Sequence, residues 1–279
     1  MQPDAPRRRK SNAGFTRLEL LTLLASLVVL AVVSRPVWGN PSATASLVCM
    51  DNLRQLQTAW LLYTEDTQGE LPGNYHGGYV PGANPKARPW VTGWLDWGTA
   101  SDNTNRLYLA KPYASLTAYL QTDFMHSTYK CPADDYLSPA QTARGWTARV
   151  RSYAMNCFLG EGNQNTGPLN SAYLIYRKLS EFRKASPQQV FVFLEEHPDS
   201  INDGLFWAPN SDRNWVDLPG SFHKGACWFT FADGHLEQRR WVSAATLRPV
   251  NLQYANNTST QPGDPDLTWL LEHVGEKKR

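Results

Sequence analysis

The chain has no C-x-x-C pair, no His-Glu-x-x-His, no nucleophile elbow and no loop with EF-hand spacing. Those absences argue against a structural zinc knuckle, a zincin, a hydrolase elbow and the standard calcium loop. Charge of one sign is also missing. Lys and Arg number 27 against 25 Asp and Glu, a net charge of +2, and the basic residues are concentrated only at Arg7-Arg8-Arg9-Lys10. That balance argues against a nucleic-acid partner. No internal repeat is visible. The one long apolar run, Leu20 to Val33, falls short of the roughly 20 residues that a membrane span prefers.

What is present is a carboxylate where none is expected. Glu19 stands at the mouth of the apolar run, directly after Ala13-Gly14-Phe15-Thr16-Arg17-Leu18. A charge there is costly unless it meets a partner. Pro36 then breaks the helical pattern near the end of the run. The basic residues before the run place the N-terminus in the cytoplasm and everything beyond about Pro36 outside it. An ordinary secretory signal cut after Ala45 and a plain single-span anchor are the rival readings, and Glu19 fits poorly with either.

The pattern of residues 13–20 resembles the signal of the type IV prepilin family. The resemblance implies that a prepilin peptidase cuts after Gly14, that Phe15 becomes an N-methylated terminus, and that Glu19 meets the terminal amine of a neighbouring subunit during assembly. An ammonium and a carboxylate desolvated together cost far less than either alone. Later blocks resemble prepilin-type proteins of planctomycete and verrucomicrobial bacteria, which carry a C-terminal processing-associated domain. These blocks are Asn52-Leu53-Arg54-Gln55-Leu56, Tyr63 with Asp66, Cys131-Pro132-Ala133-Asp134, Glu196 to Gly204, and His223 followed after nine residues by Asp233-Gly234. The resemblance runs from Gly14 to Trp241. Arg17 and Arg35 depart from the most hydrophobic pilins and are placed to snorkel to the two interfaces.

The resemblance implies a non-enzymatic pilin or pseudopilin subunit of a type II secretion or type IV pilus-like fibre. It would be a single-pass inner-membrane precursor with its head in the periplasm or on a surface fibre. Its partners would be the prepilin peptidase, other pilin-like subunits through the N-terminal helix, and the membrane assembly platform. The alternative is a membrane-tethered module, glycan-binding, that does not polymerise.

The expected organisation is a leader at 1–14, a helix at 15–64 and a head at 65–279. The helix has an apolar stem at 15–35 and an amphipathic half at 42–64, where Leu47, Leu53, Leu56, Trp60 and Tyr63 recur at helical steps. The fold class expected is α+β, with the long helix packed on an antiparallel sheet carrying long loop insertions. Gln189–Leu194 is apolar on both faces and reads as a central strand. Trp228–Phe231, the Asp233-Gly234 turn and Leu236–Trp241 read as a hairpin. Short helices are expected at 113–120, 179–184, 241–247 and 267–274.

Four sets of residues are candidates for chemistry. Glu196, Asp199, Asn202 and Asp203 crowd oxygen ligands into one loop, so calcium is the one cofactor considered, by analogy with pseudopilin heads; the plainer reading is acids capping their own turns. His197, His223 and His235 with Glu196 and Asp233 would be needed for a zinc hydrolase; a hydrogen bond from His223 that fixes the loop into the Asp233-Gly234 hairpin is the favoured role. Trp90, Trp94 and Trp97 can form a sugar platform or pack over the sheet, but alternation keeps the three from sharing a face. Cys49, Cys131, Cys157 and Cys227 lie in the exported part, where disulfides are expected. Of three pairings, Cys49–Cys131 with Cys157–Cys227 is favoured, since the first would staple stem to head; free buried thiols are the alternative.

Overall fold

The structure, a computed structural model, describes residues 16–33, 41–78, 88–120, 125–162, 173–183, 185–209, 211–255 and 257–278. Gly14, Phe15 and Pro36 lie outside them. The chain divides after residue 40 into two units.

The first unit contributes helix α1, Arg17–Val33. Its start is fixed by a reciprocal capping box: Thr16 Oγ1 accepts from the Glu19 amide (3.3 Å), and the Glu19 carboxylate accepts from the Thr16 amide (2.9 Å). Seventeen residues at 1.5 Å each give roughly 26 Å. No helix among the described residues is long and apolar enough to cross a membrane.

The second unit begins with α2, Pro41–Asp66. Cys49, Leu53, Leu56, Trp60 and Tyr63 form its buried stripe, at steps of three and four. Each large member contributes roughly 1.5–3 kcal/mol on burial. The helix ends where Gln68 and Gly69 turn left-handed (φ 58° and 87°) and Gly69 N–H donates to Thr64 C=O at 2.7 Å.

The sheet has the order β3-β1-β2-β5-β6. Its strands are β1 (Tyr153–Asn156), β2 (Phe191–Glu195), β3 (Leu205–Phe206), β5 (Ala226–Phe231) and β6 (Leu236–Arg240), while β4 (Asn214–Trp215) pairs separately with β7 (Thr258–Ser259). The central place of β2 follows from its sequence, which is buried throughout. α2 packs on one face with Val192, Phe193 and Trp228. The other face buries Phe191, Leu194, Phe229 and Phe231 against Trp241 and the terminal helix Pro265–His273.

The fold is α+β, but the sheet is mixed rather than antiparallel, because β3 runs parallel to β1. β2 reverses the direction of β1, and the 196–204 loop reverses it again. With β5 on the far edge of β2, the returning chain takes the open edge of β1. The helix expected at 241–247 is a single turn. Asp266 caps it by accepting from Val242 and Ser243 N–H, and Pro249 disfavours helical continuation.

Candidate functional site

Three of the sequence blocks, at Asn52, Cys131–Asp134 and His223, meet around one disulfide. Cys49, on α2, is bonded to Cys131, with a Cα–Cα distance of 5.0 Å across a separation of 82 residues. Closing so long a loop is worth on the order of 4 kcal/mol in the chain-entropy account. One helical turn on, Asn52 Nδ2 donates to the carbonyls of Ser127 (3.2 Å) and Lys130 (2.9 Å), binding α2 to the loop that carries Cys131. Asp134, at the end of the Cys131-Pro132-Ala133-Asp134 turn, accepts from Ser152 Oγ at 2.6 Å and pairs with Lys130. Burial pushes the Asp134 pKa up, but Lys130 and Arg149 outweigh it and hold the carboxyl below its ordinary value.

His223 completes the cluster. Its Nε2 lies 3.7 Å from Cys131 Sγ and 2.6 Å from Glu195 Oε1, and the second Glu195 oxygen accepts from Trp228 N–H at 2.9 Å. Burial pushes the Glu195 pKa up, and His223 opposes this. Cys49, Cys131, Glu195 and His223 are the one His/Cys/Asp/Glu group among the described residues whose ligand atoms all fall within 4.8 Å of one another. With its sulfurs joined to each other, the group is a disulfide flanked by a buried acid–histidine pair.

The nine residues between His223 and Asp233 now have a physical meaning. They contain β5. His223 ties the turn before that strand to Glu195 of β2. Gly234, at φ 96°, makes the turn after it, and a Cβ there would sit 3.2 Å from Leu61 Cδ1 on α2. Between them, Trp228 Nε1 donates to Ser46 Oγ of α2 at 3.0 Å. The helix is held at both ends of one strand. From Cys49 to Leu61 is roughly 18 Å of helix. Six residues of β5 span roughly 20 Å.

The remaining candidates fall apart into separate roles. His197 bonds the Arg248 carbonyl (3.1 Å) and the Asp199 amide (3.1 Å), and His235 bonds Asp233 (2.6 Å) while stacking on Phe231. The three histidines and Glu196 therefore have different partners. In the acidic loop Glu196 accepts from Ser200, Asp199 from the Asn251 amide, and Asp203 from the Leu205 and Gly77 amides, while Asn202 donates to the Tyr254 hydroxyl. These are mostly backbone-capping bonds, and the loop's carboxylates do not form a cluster of three within 4.8 Å.

The second cysteine pairing is corrected. Cys157 and Cys227 are free and buried. Cys157 follows β1 and Cys227 lies on β5, with β2 between them. Two strand spacings are roughly 10 Å, beyond the Cα–Cα reach of a disulfide.

Of the three tryptophans, Trp90 is core, donating to Gly204 C=O and packed on Phe193, while Trp94 is exposed. Glu195 was legible as a carboxylate ending an apolar strand, but its partner was not. Arg149 and Arg151, fully buried with guanidiniums on the carbonyls of Pro198, Thr92 and Asn202, carry no motif. Burial pulls the Arg151 pKa down to about 10.

No known family profile, characterised protein or solved structure matches the chain.

Proposed function

We propose that the chain is a non-enzymatic, prepilin-like subunit. It is made as an inner-membrane precursor, cut after Gly14 by a prepilin peptidase and drawn into a type II secretion or type IV pilus-like fibre. The observation that carries this reading is a lone carboxylate in the first turn of a helix whose one other charged residue is Arg17, beside a Gly-Phe junction. Supporting it, the residues 41–66 that would continue the stem are clamped to the head by a disulfide, a capping asparagine and both ends of β5. A subunit that passes load between stem and head needs that attachment.

The reading gives Glu19 two successive partners. In the isolated chain its carboxylate is occupied by Thr16. In a fibre the ammonium of Phe15 from an adjacent copy would compete for the same oxygen, and the low-dielectric stem bundle favours the full charge pair.

Mass spectrometry of the mature protein tests the proposal. An N-methyl-phenylalanine terminus at Phe15 is expected. Gly14→Ala should leave the precursor uncut, and Glu19→Ala should leave it cut but outside the fibre. A terminus at any other residue overturns the reading and returns the chain to the tethered-module alternative, and full assembly of Glu19→Ala would refute the role given to Glu19.

A further inference from the structure

Two cavities on the head share two aromatic walls. Trp94 and Tyr254 line both. The larger, about 430 Å³, is completed by His76, Trp207, Asp203 and Asp217. The smaller, about 220 Å³, continues past Trp97, over which the Arg149 guanidinium lies 4.0 Å from the ring centroid. The larger alone is within the roughly 300–1,000 Å³ typical of small-molecule sites.

These rings are not core residues. Trp94 is 37% exposed and Tyr254 51%, whereas Trp60, Trp90 and Trp215 are fully buried. Each is nevertheless held in place. The Trp94 amide donates to Asp102 at 3.0 Å, and Gly78 lies so close that a Cβ there would come within 2.9 Å of Trp94 Cβ. The Tyr254 hydroxyl accepts from Asn202 at 2.6 Å. The Trp207 amide donates to Asp217 Oδ2 at 2.6 Å, and its ring centroid is 6.0 Å from that of His76. Tyr254 is thus fixed through its own hydroxyl and Trp94 and Trp207 through their backbones, which positions this aromatic surface for contact.

The polar complement selects among ligands. Among the described residues the larger cavity offers the carboxylates of Asp203 and Asp217 and the amides of Asn202, Asn214 and Asn257, and no lysine or arginine. A phosphate or a uronate in the larger cavity would face two acids, while Arg149 in the smaller one lies over Trp97 and donates to the Pro198 carbonyl. An acyl chain would bring no donor to the spare acceptor capacity of the two carboxylates. A neutral sugar satisfies both sets, with apolar C–H faces against the rings and vicinal hydroxyls toward planar carboxylates and amides. Burial, reinforced by Asp203, raises the Asp217 pKa.

We propose that the joined cavities bind a neutral oligosaccharide, with sugar rings laid against Trp94, Tyr254 and Trp207 and hydroxyls taken by Asp217 and the neighbouring asparagines. The site belongs to the head alone and stands whether or not the stems polymerise.

The test is titration of the full chain, held in a detergent without a sugar headgroup, by calorimetry and tryptophan fluorescence. The probes are neutral hexose and N-acetylhexosamine tetrasaccharides, a tetragalacturonate and tetramethylammonium. At least one neutral tetrasaccharide should bind with Kd below about 1 mM. Trp94→Ala and Trp207→Ala should each weaken it at least tenfold, about 1.4 kcal/mol. Trp94→Phe should recover part of the loss, and Trp146→Ala, at a residue that lines neither cavity, should bind as the parent does. No binding by any neutral probe, preference for the uronate or the ammonium, or equal affinity in the Trp94 and Trp207 variants would overturn the assignment.

Discussion

His223 and Glu195 are joined by a 2.6 Å hydrogen bond with both side chains essentially out of water. Removing one partner leaves the other stranded. His223→Ala should therefore cost about 3 kcal/mol of stability, the range for a broken buried pair. Glu195→Gln should cost less, because it keeps an acceptor for the Trp228 amide. Guanidinium unfolding of the two single variants and the double variant closes the cycle. A double variant less destabilised than the sum is expected, and strict additivity would show that the two do not act as a unit.

The cysteines can be counted directly. Under non-reducing conditions the native head should resist a maleimide, since Cys157 and Cys227 are buried. Burial also pushes both thiols up in pKa, which starves the reaction of thiolate. Unfolding without reductant should expose two reactive thiols, and unfolding with reductant four. No reactive thiol in the unfolded, unreduced protein would mean a second disulfide, contrary to the placement of β2 between them.

Gly234 serves two requirements at once, a left-handed φ of 96° and contact with Leu61. Gly234→Ala should cost about 1–2 kcal/mol from the backbone alone. Gly69 shares the left-handed conformation, with φ 87° and open space around a would-be Cβ. Gly69→Ala thus isolates the conformational part. Equal melting temperatures for the two variants would remove the packing contribution at Leu61.

Asp217 and Glu196 give the head an acid-side preference. Burial, first, and a neighbouring acid, second, raise the pKa of both; that neighbour is Asp217 for Glu196 and Asp203 for Asp217. A carboxyl raised in the folded state stabilises fully below its unfolded value, about 4, and loses that contribution as pH climbs through the raised value. Asp134, held low, acts in the opposite direction: its contribution is lost as pH falls through the lowered value. Asp217→Asn cannot ionise, so its melting temperature relative to the parent should rise as pH increases from about 4 to 8. A difference that is flat with pH, or that falls, would show that Asp217 carries no such cost.

Much of the frame could be read from residue order. The helical stripe on α2 announced itself through Leu53, Leu56, Trp60 and Tyr63, although Leu47, read into the same stripe, is exposed, and the β5–β6 hairpin announced itself through Asp233-Gly234. The central position of β2 followed from having no polar face. Local pattern carries that much because each element's period is set by its own backbone. The parallel pairing of β3 was hidden, since two residues have no period and the pairing depends on which edge was vacant. The partner of Glu195 was hidden too, because the apolar strand before it says only that the acid is buried. Trp94, Trp207 and Tyr254 come from distant loops, and nothing in any one of them names the others.

The double attachment of α2 along β5 has a mechanical consequence. A helix fastened only near one end would let the head be pried away, one contact failing after another. Bonded through Ser46 to Trp228 of β5, lying with Leu61 beside the Gly234 turn and joined at Cys49 to Cys131, it spreads a lengthwise pull over contacts that must yield together. In the fibre subunit proposed above, tension from the N-terminal side would reach the Ser46 bond and the disulfide before the Leu61 end of the helix.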